Sequence, residues 1–204
     1  MRWLQLYVRS RRVPLALTIA AAVIALVWVL WLTYTDTRTI NVRLVNLTVM
    51  LAVAAFGATL SGADDALDHT ASMNWPVRRA GHLILTASAI TALLFLTTFT
   101  DARFEPLTIV LRNTVGMLGL TALGAALLGA ARSWTAPLAW TLIAILPLME
   151  PSKHLKMQVA GWLIQPANTT AATVCATILA ATGLFAYTLY GCPRRPAAQT
   201  APDQ

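Results

Sequence analysis

Three of the chain's eight acidic residues, Asp64, Asp65 and Asp68, fall within five positions of one another and are followed by His69. A carboxylate at Asp64 or Asp65 can cap a short helix, because it accepts free amide hydrogens at a helix N-terminus and favours its dipole. Ala66 to Ser72 would supply about two turns, and Pro76 is expected to end them. Such an acidic helix is suited to docking a soluble partner. A solvated loop is the equally weighted alternative.

Other chemistry is poorly provided for. A phosphate-cradling loop needs glycines followed by Lys and Ser or Thr. The only lysines, Lys153 and Lys156, follow no glycine, so the chain carries no ATP site of that kind. Thr59-Leu60-Ser61-Gly62 offers a serine before glycine, but no histidine lies in the later apolar segments to act as its base. His69, His82 and His154 are scattered, and Cys175 and Cys192 have no metal-ligand spacing. No metal, cofactor or disulfide framework is expected, and an intramembrane enzyme is disfavoured.

Arg112, with Asn113 beside it, is the main polar interruption within an apolar run, and Glu105 lies seven residues earlier on about the same helical face. The simpler reading is an arginine whose head snorkels to the headgroups. The alternative is a charge that lines a lateral opening or holds helices together. Asn46 is a lesser candidate for the same roles.

These residues are positioned by six apolar stretches, roughly 13–33, 44–61, 82–99, 107–130, 135–149 and 170–190. A bilayer core of about 30 Å needs about 20 helical residues. Five stretches reach or approach that length, and the fifth in order needs its flanks. With 57% hydrophobic and only 11% charged residues, a soluble globular fold is excluded. The expected fold is an all-α membrane protein of six transmembrane helices. It is flanked by an interfacial amphipathic segment (1–12) and a cytoplasmic tail (192–204), leaving 13–191 as the membrane domain.

The net charge of +7 does not indicate nucleic-acid binding, because the basic residues sit at segment ends. With the N-terminus inside, nine basic residues fall on the cytoplasmic side and six outside. The bias is strongest at Arg2, Arg9, Arg11 and Arg12, so both termini are expected in the cytoplasm. The run after these arginines is too long for a signal-peptide core. Trp28, Trp31 and Tyr34 would anchor the outer end of the first span. Gly116, Gly119, Ala122, Ala126 and Ala130 mark a face for close packing within a bundle, with a dimer contact as the lesser alternative. Abundant Ala and Arg are associated with GC-rich bacterial genomes.

Between the fifth and sixth stretches, Met157 to Ile164 is too short to cross a bilayer and too apolar for a free loop. Bracketed by Pro151 and Pro166, with Trp162 suited to the interface, it is expected to be interfacial or re-entrant.

This order of elements resembles the membrane subunit of a type-two ABC exporter, in particular the small permeases of actinobacteria. The resemblance covers the whole chain in layout. It rests on Asp65 to Ala71 with Pro76 to His82, on Leu111 to Leu120 running on to Leu128–Trp134, and on Trp162-Leu163-Ile164-Gln165-Pro166 with Gly183 to Arg194. It implies six spans, a cytoplasmic coupling helix between the second and third, and an external re-entrant segment carrying Trp162, Gln165 and Pro166. ATP and magnesium would be held by a separate ABC ATPase subunit, whose motion would reach this chain through Asp64, Asp65, Leu67, Asp68 and His69. A second permease copy or a homologue would complete the path in a bacterial cytoplasmic membrane. The cargo would be hydrophobic or amphipathic, such as an antibiotic, peptide or lipid, because the spans offer few charges for an ion or sugar. The competing class is a non-transporting anchor, sensor or assembly protein that recruits a soluble partner.

Overall fold

The computed structural model describes residues 10–61, 74–104, 106–146 and 151–193. Within them the chain is helical, with a single isolated bridge between Thr39 and Arg103. The helices are α1 (Val13–Tyr34), α2 (Val42–Gly57), α3 (Trp75–Leu96), α4 (Leu107–Leu128), α5 (Thr135–Ile145), α6 (Leu155–Ala160) and α7 (Thr170–Tyr190). Short 3₁₀ turns follow α3, α4 and α6. The expected coupling helix, with Asp64, Asp65, Leu67, Asp68 and His69, lies outside the described residues, as do Glu105 and nearly all of the two terminal segments.

Among the described residues four helices are long and apolar enough to cross a membrane: α1, α3 with its 3₁₀ extension to Phe99, α4 and α7. The sequence suggested six. The difference lies in α2, with 16 residues, and α5, with 11. At about 1.5 Å per residue they cover about 24 and 17 Å, short of a full hydrocarbon core. α5 stops because Leu146 precedes Pro147. Its backbone is extended there (φ −53°, ψ 139°), as the proline ring demands of the residue before it.

The helix that Pro76 is expected to end lies outside the described residues; Pro76 itself sits in the first turn of α3, where its missing N–H is not needed. α3 therefore starts seven residues before the apolar run at position 82 and takes Arg78 and Arg79 into its opening turns. Pro14 does the same for α1, and the side chain of Asn41 caps α2 by accepting the Arg43 amide at 2.9 Å.

α4 is the hub, with Asn113, Met117, Ala122 and Ala125 fully enclosed. Its small residues let neighbours approach. A Cβ on Gly116 would strike the Trp162 indole, and one on Gly119 would lie 2.6 Å from the Ala180 Cα. Gly183 meets the Gly119 backbone from the other side, its would-be Cβ 2.6 Å from the Gly119 carbonyl carbon. α4 and α7 thus cross backbone to backbone. The small-residue face packs inside the bundle.

Large apolar side chains cover the outside: Leu26, Leu85, Leu96, Phe99, Phe185 and Tyr190 are each more than half exposed. A surface of this kind suits lipid and not water. At one end Trp28 Nε1 donates to Thr100 Oγ1 (2.9 Å) and Trp31 Nε1 to the Thr37 carbonyl (2.7 Å), while Tyr34 stays exposed. The two loops there are joined by Ile40 N to Arg103 O (2.9 Å) and Arg103 N to Arg38 O (2.7 Å).

Candidate functional site

Near the start of α4, three elements that are distant in sequence share one buried polar node. Asn46 comes from α2, Arg112 and Asn113 from α4, and the carbonyls of Leu163, Gln165 and Pro166 from the segment between α6 and α7. The 3₁₀ turn Trp162–Ile164 is too short to satisfy its own carbonyls, and Pro166 brings no N–H. Arg112 supplies the missing donors, with Nη2 2.8 Å from the Gln165 oxygen and Nη1 3.0 Å from the Pro166 oxygen. Its Nε donates to Asn113 Oδ1 at 3.0 Å. Asn113 Nδ2 in turn reaches Asn46 Oδ1 (2.6 Å) and the Leu163 oxygen (2.8 Å), and Asn46 Nδ2 meets that same oxygen at 3.0 Å.

Arg112 is therefore not a snorkelling side chain. It is 8% exposed, and its planar fork reaches two consecutive carbonyls. Trp162 also departs from expectation. It is fully buried against Gly116 and Ala176, nine positions along α4 from Leu107, and is not laid on the surface. Gln165 is buried with its Oε1 3.4 Å from the Ser152 amide nitrogen, while Pro166 is exposed. The structure thus gathers Asn46, Arg112, Asn113, Trp162, Gln165 and Pro166 into one region. The node fixes the 151–169 segment to the bundle.

A second polar cluster closes the opposite end, and sequence reasoning missed it. Arg11 Nη1 donates to the Leu60 oxygen at 2.9 Å and to Tyr187 Oη at 3.3 Å. The Tyr187 hydroxyl also donates to the Leu60 oxygen. One carbonyl just past α2 thereby gathers Arg11, two residues ahead of α1, and the last turn of α7. Nothing in the spacing of Tyr187 or Arg11 marks a backbone oxygen as their shared acceptor. Replacing Tyr187 with Phe is expected to cost about 1 kcal/mol, since Arg11 still covers the carbonyl. The unfolding midpoint in detergent checks this.

Nearby, Thr59 Oγ1 and His82 Nε2 lie 2.8 Å apart. A hydroxyl beside an imidazole resembles an activated nucleophile. Here the Thr59 hydroxyl also bonds the Phe56 carbonyl at 2.6 Å, and Thr59 is 1% exposed, so no substrate carbonyl can approach it. Among the described residues no group of three His, Cys, Asp or Glu could hold a metal.

An apolar opening lies between α3, α4 and α7. It is a lateral groove of about 530 Å³. Ile84 and Phe95 of α3, Leu111 and Leu118 of α4 and Leu184 of α7 form its walls, with Gly119 and Ala180 at the crossing. Ser88 and Thr91 provide the only polar side chains among its described wall residues. The groove exists because α4 and α7 meet through glycines, while Ala87, Ser88 and Ala92 on α3 leave space in front of them.

No protein-family model matches this chain, and no curated protein or solved structure matches it significantly.

Proposed function

We propose that this chain is the permease subunit of an ATP-driven exporter of the type-two ABC kind. The observation that carries the reading is the lateral groove. It would open toward lipid, takes up about 530 Å³ and offers no charged side chain among its described wall residues, which suits a hydrophobic or amphipathic passenger and not an ion or sugar. The layout resemblance supplies the rest. α2 and α5 would complete six spans with their flanks, and the 151–169 segment would be the re-entrant external element. Asp64, Asp65, Leu67, Asp68 and His69 would face the cytoplasm and receive the partner ATPase, with both termini on the same side of a bacterial membrane. Nucleotide-driven closure of that partner would shift the bundle between two states.

The test is purification of the tagged chain in mild detergent with its ATPase, followed by export measured in vesicles. Ala87→Trp is expected to fill the groove and abolish export while the ATPase stays bound. Leu67→Ala combined with Asp68→Ala is expected to uncouple ATP hydrolysis from export without unfolding the bundle. Recovery of the chain with no ATPase would instead favour an anchor or assembly protein.

A further inference from the structure

Two arginine pairs meet at the end of the bundle opposite the Arg112 node. Arg11 and Arg79 are 3% and 7% exposed, and both lie on Tyr187. Arg11 reaches its hydroxyl at 3.3 Å, and the Arg79 Cζ stands 6.0 Å from the centre of its ring. Their chain neighbours Arg12 and Arg78 are exposed and half-buried. Arg12 has a φ of +54°, in the left-handed region, so the chain turns there with Arg11 inside and Arg12 outside.

Arg79 is held at the seam of α3 and α7 with most of its donors unused. Among the described residues its one hydrogen bond runs from Nη1 to the Thr188 oxygen, at 3.3 Å. Nε and Nη2 have no acceptor there, and neither is fully enclosed. Gly191 leaves the room for this guanidinium, since a Cβ on it would lie 2.5 Å from Cζ. A charge taken this far out of water is costly unless an opposite charge stands by.

The protein supplies too few such charges at this end. The described carboxylates, Asp36 and Asp101, both belong to the loops at the other end. Counted along the sequence, the connections on the arginine side carry nine arginines against Asp64, Asp65, Asp68 and Asp203, an excess of five positive charges. The neighbouring surface is apolar: Leu15 on α1, Val77 on α3 and Tyr190 on α7 are 56%, 65% and 71% exposed. Positive charge directly above exposed apolar side chains is complementary to an anionic headgroup above its acyl chains. A soluble anion or an acidic peptide would make no use of that apolar rim.

We propose that the junction of α1, α3 and α7 binds an anionic phospholipid, with its phosphate against Arg79 and Arg12 and its chains on the apolar surface beside them. The proposal does not depend on the exporter reading.

The full-length chain in a nonionic detergent is titrated with dihexanoyl phosphatidylglycerol, with dihexanoyl phosphatidylcholine and with sodium phosphate, and the unfolding midpoint is followed. The midpoint is expected to rise with phosphatidylglycerol and to stay with the other two. Arg79→Gln is expected to abolish the rise. Arg12→Asn suits the left-handed backbone and keeps the fold, so it reports even if Arg79→Gln does not fold. It is expected to weaken binding about fivefold, the worth of one arginine at an anionic surface. Arg38→Asn removes the same charge from an exposed position at the opposite end and is expected to leave the response unchanged. The proposal is overturned if phosphatidylglycerol has no effect, or if phosphatidylcholine or phosphate alone does as much. An equal loss in Arg38→Asn and Arg12→Asn, or a response that survives in both Arg79→Gln and Arg12→Asn, overturns it as well.

Discussion

Gly183→Leu is expected to prevent α4 and α7 from closing on one another and to cost about 3 kcal/mol or more, the upper range for overpacking a tight core. The reason is geometric. The added Cβ would sit 2.6 Å from the Gly119 carbonyl carbon and closer still to its oxygen. Both obstacles are backbone, so no side-chain rotation relieves them. α4 would have to move, and it also holds Trp162 through Gly116 and Ser133 through Gly124. Gly81→Leu is the control, because a side chain there meets nothing within 4 Å. Fluorescence-monitored unfolding in detergent should separate the two variants clearly. Equal midpoints would show that α4 and α7 do not cross in this way.

Arg112→Met is the second large effect expected. It strands the Gln165 and Pro166 oxygens and one face of Asn113, at a cost of about 2–4 kcal/mol, since hydrogen bonds to a charged donor are worth about 1.5–3 kcal/mol each and are not additive. Arg112→Lys should recover only part of the loss, because an ammonium cannot span two carbonyls as the guanidinium fork does. A local readout separates this from general destabilisation. Lys153 and Lys156 are exposed trypsin sites on the segment that Arg112 holds. Cleavage there should accelerate in Arg112→Met well below its unfolding midpoint. Unchanged cleavage would mean the segment is held by Trp162 alone.

The long elements were legible and the meetings between them were not. α1, α3, α4 and α7 follow from runs of apolar residues long enough to cross a membrane as helices. Gly116 and Gly119 could be read as packing positions because small residues at helical spacing have one common use in lipid. Proline was less transparent. Pro76 sits in the first turn of a helix, a role that depends on which side the apolar face continues. α2 and α5 are shorter than their apolar runs suggested, because apolarity alone does not fix where the hydrogen-bonded ladder stops.

Gln165 was placed only in the segment that the resemblance implies, while Asn46, Arg112 and Asn113 were recognisable as polar residues out of place. Their convergence was not, since three of the acceptors are backbone oxygens of residues 163, 165 and 166 that leave no trace in side-chain chemistry. The hint available was that two asparagines in separate apolar segments must each find a partner, and the economical partner is the other. The Leu60 oxygen shared by Arg11 and Tyr187 carries no such hint.

The claim that a nucleotide-powered partner moves this bundle is tested most directly by the sidedness of Asp64–Asp68. In a background with Cys175→Ser and Cys192→Ser, a single cysteine replacing Asp65 is exposed to a membrane-impermeant maleimide on intact cells and on inside-out vesicles. The account predicts labelling of the vesicles alone, with protection when the ATPase is added back. Labelling from outside intact cells would place the segment beyond reach of any cytoplasmic ATPase and contradict the account.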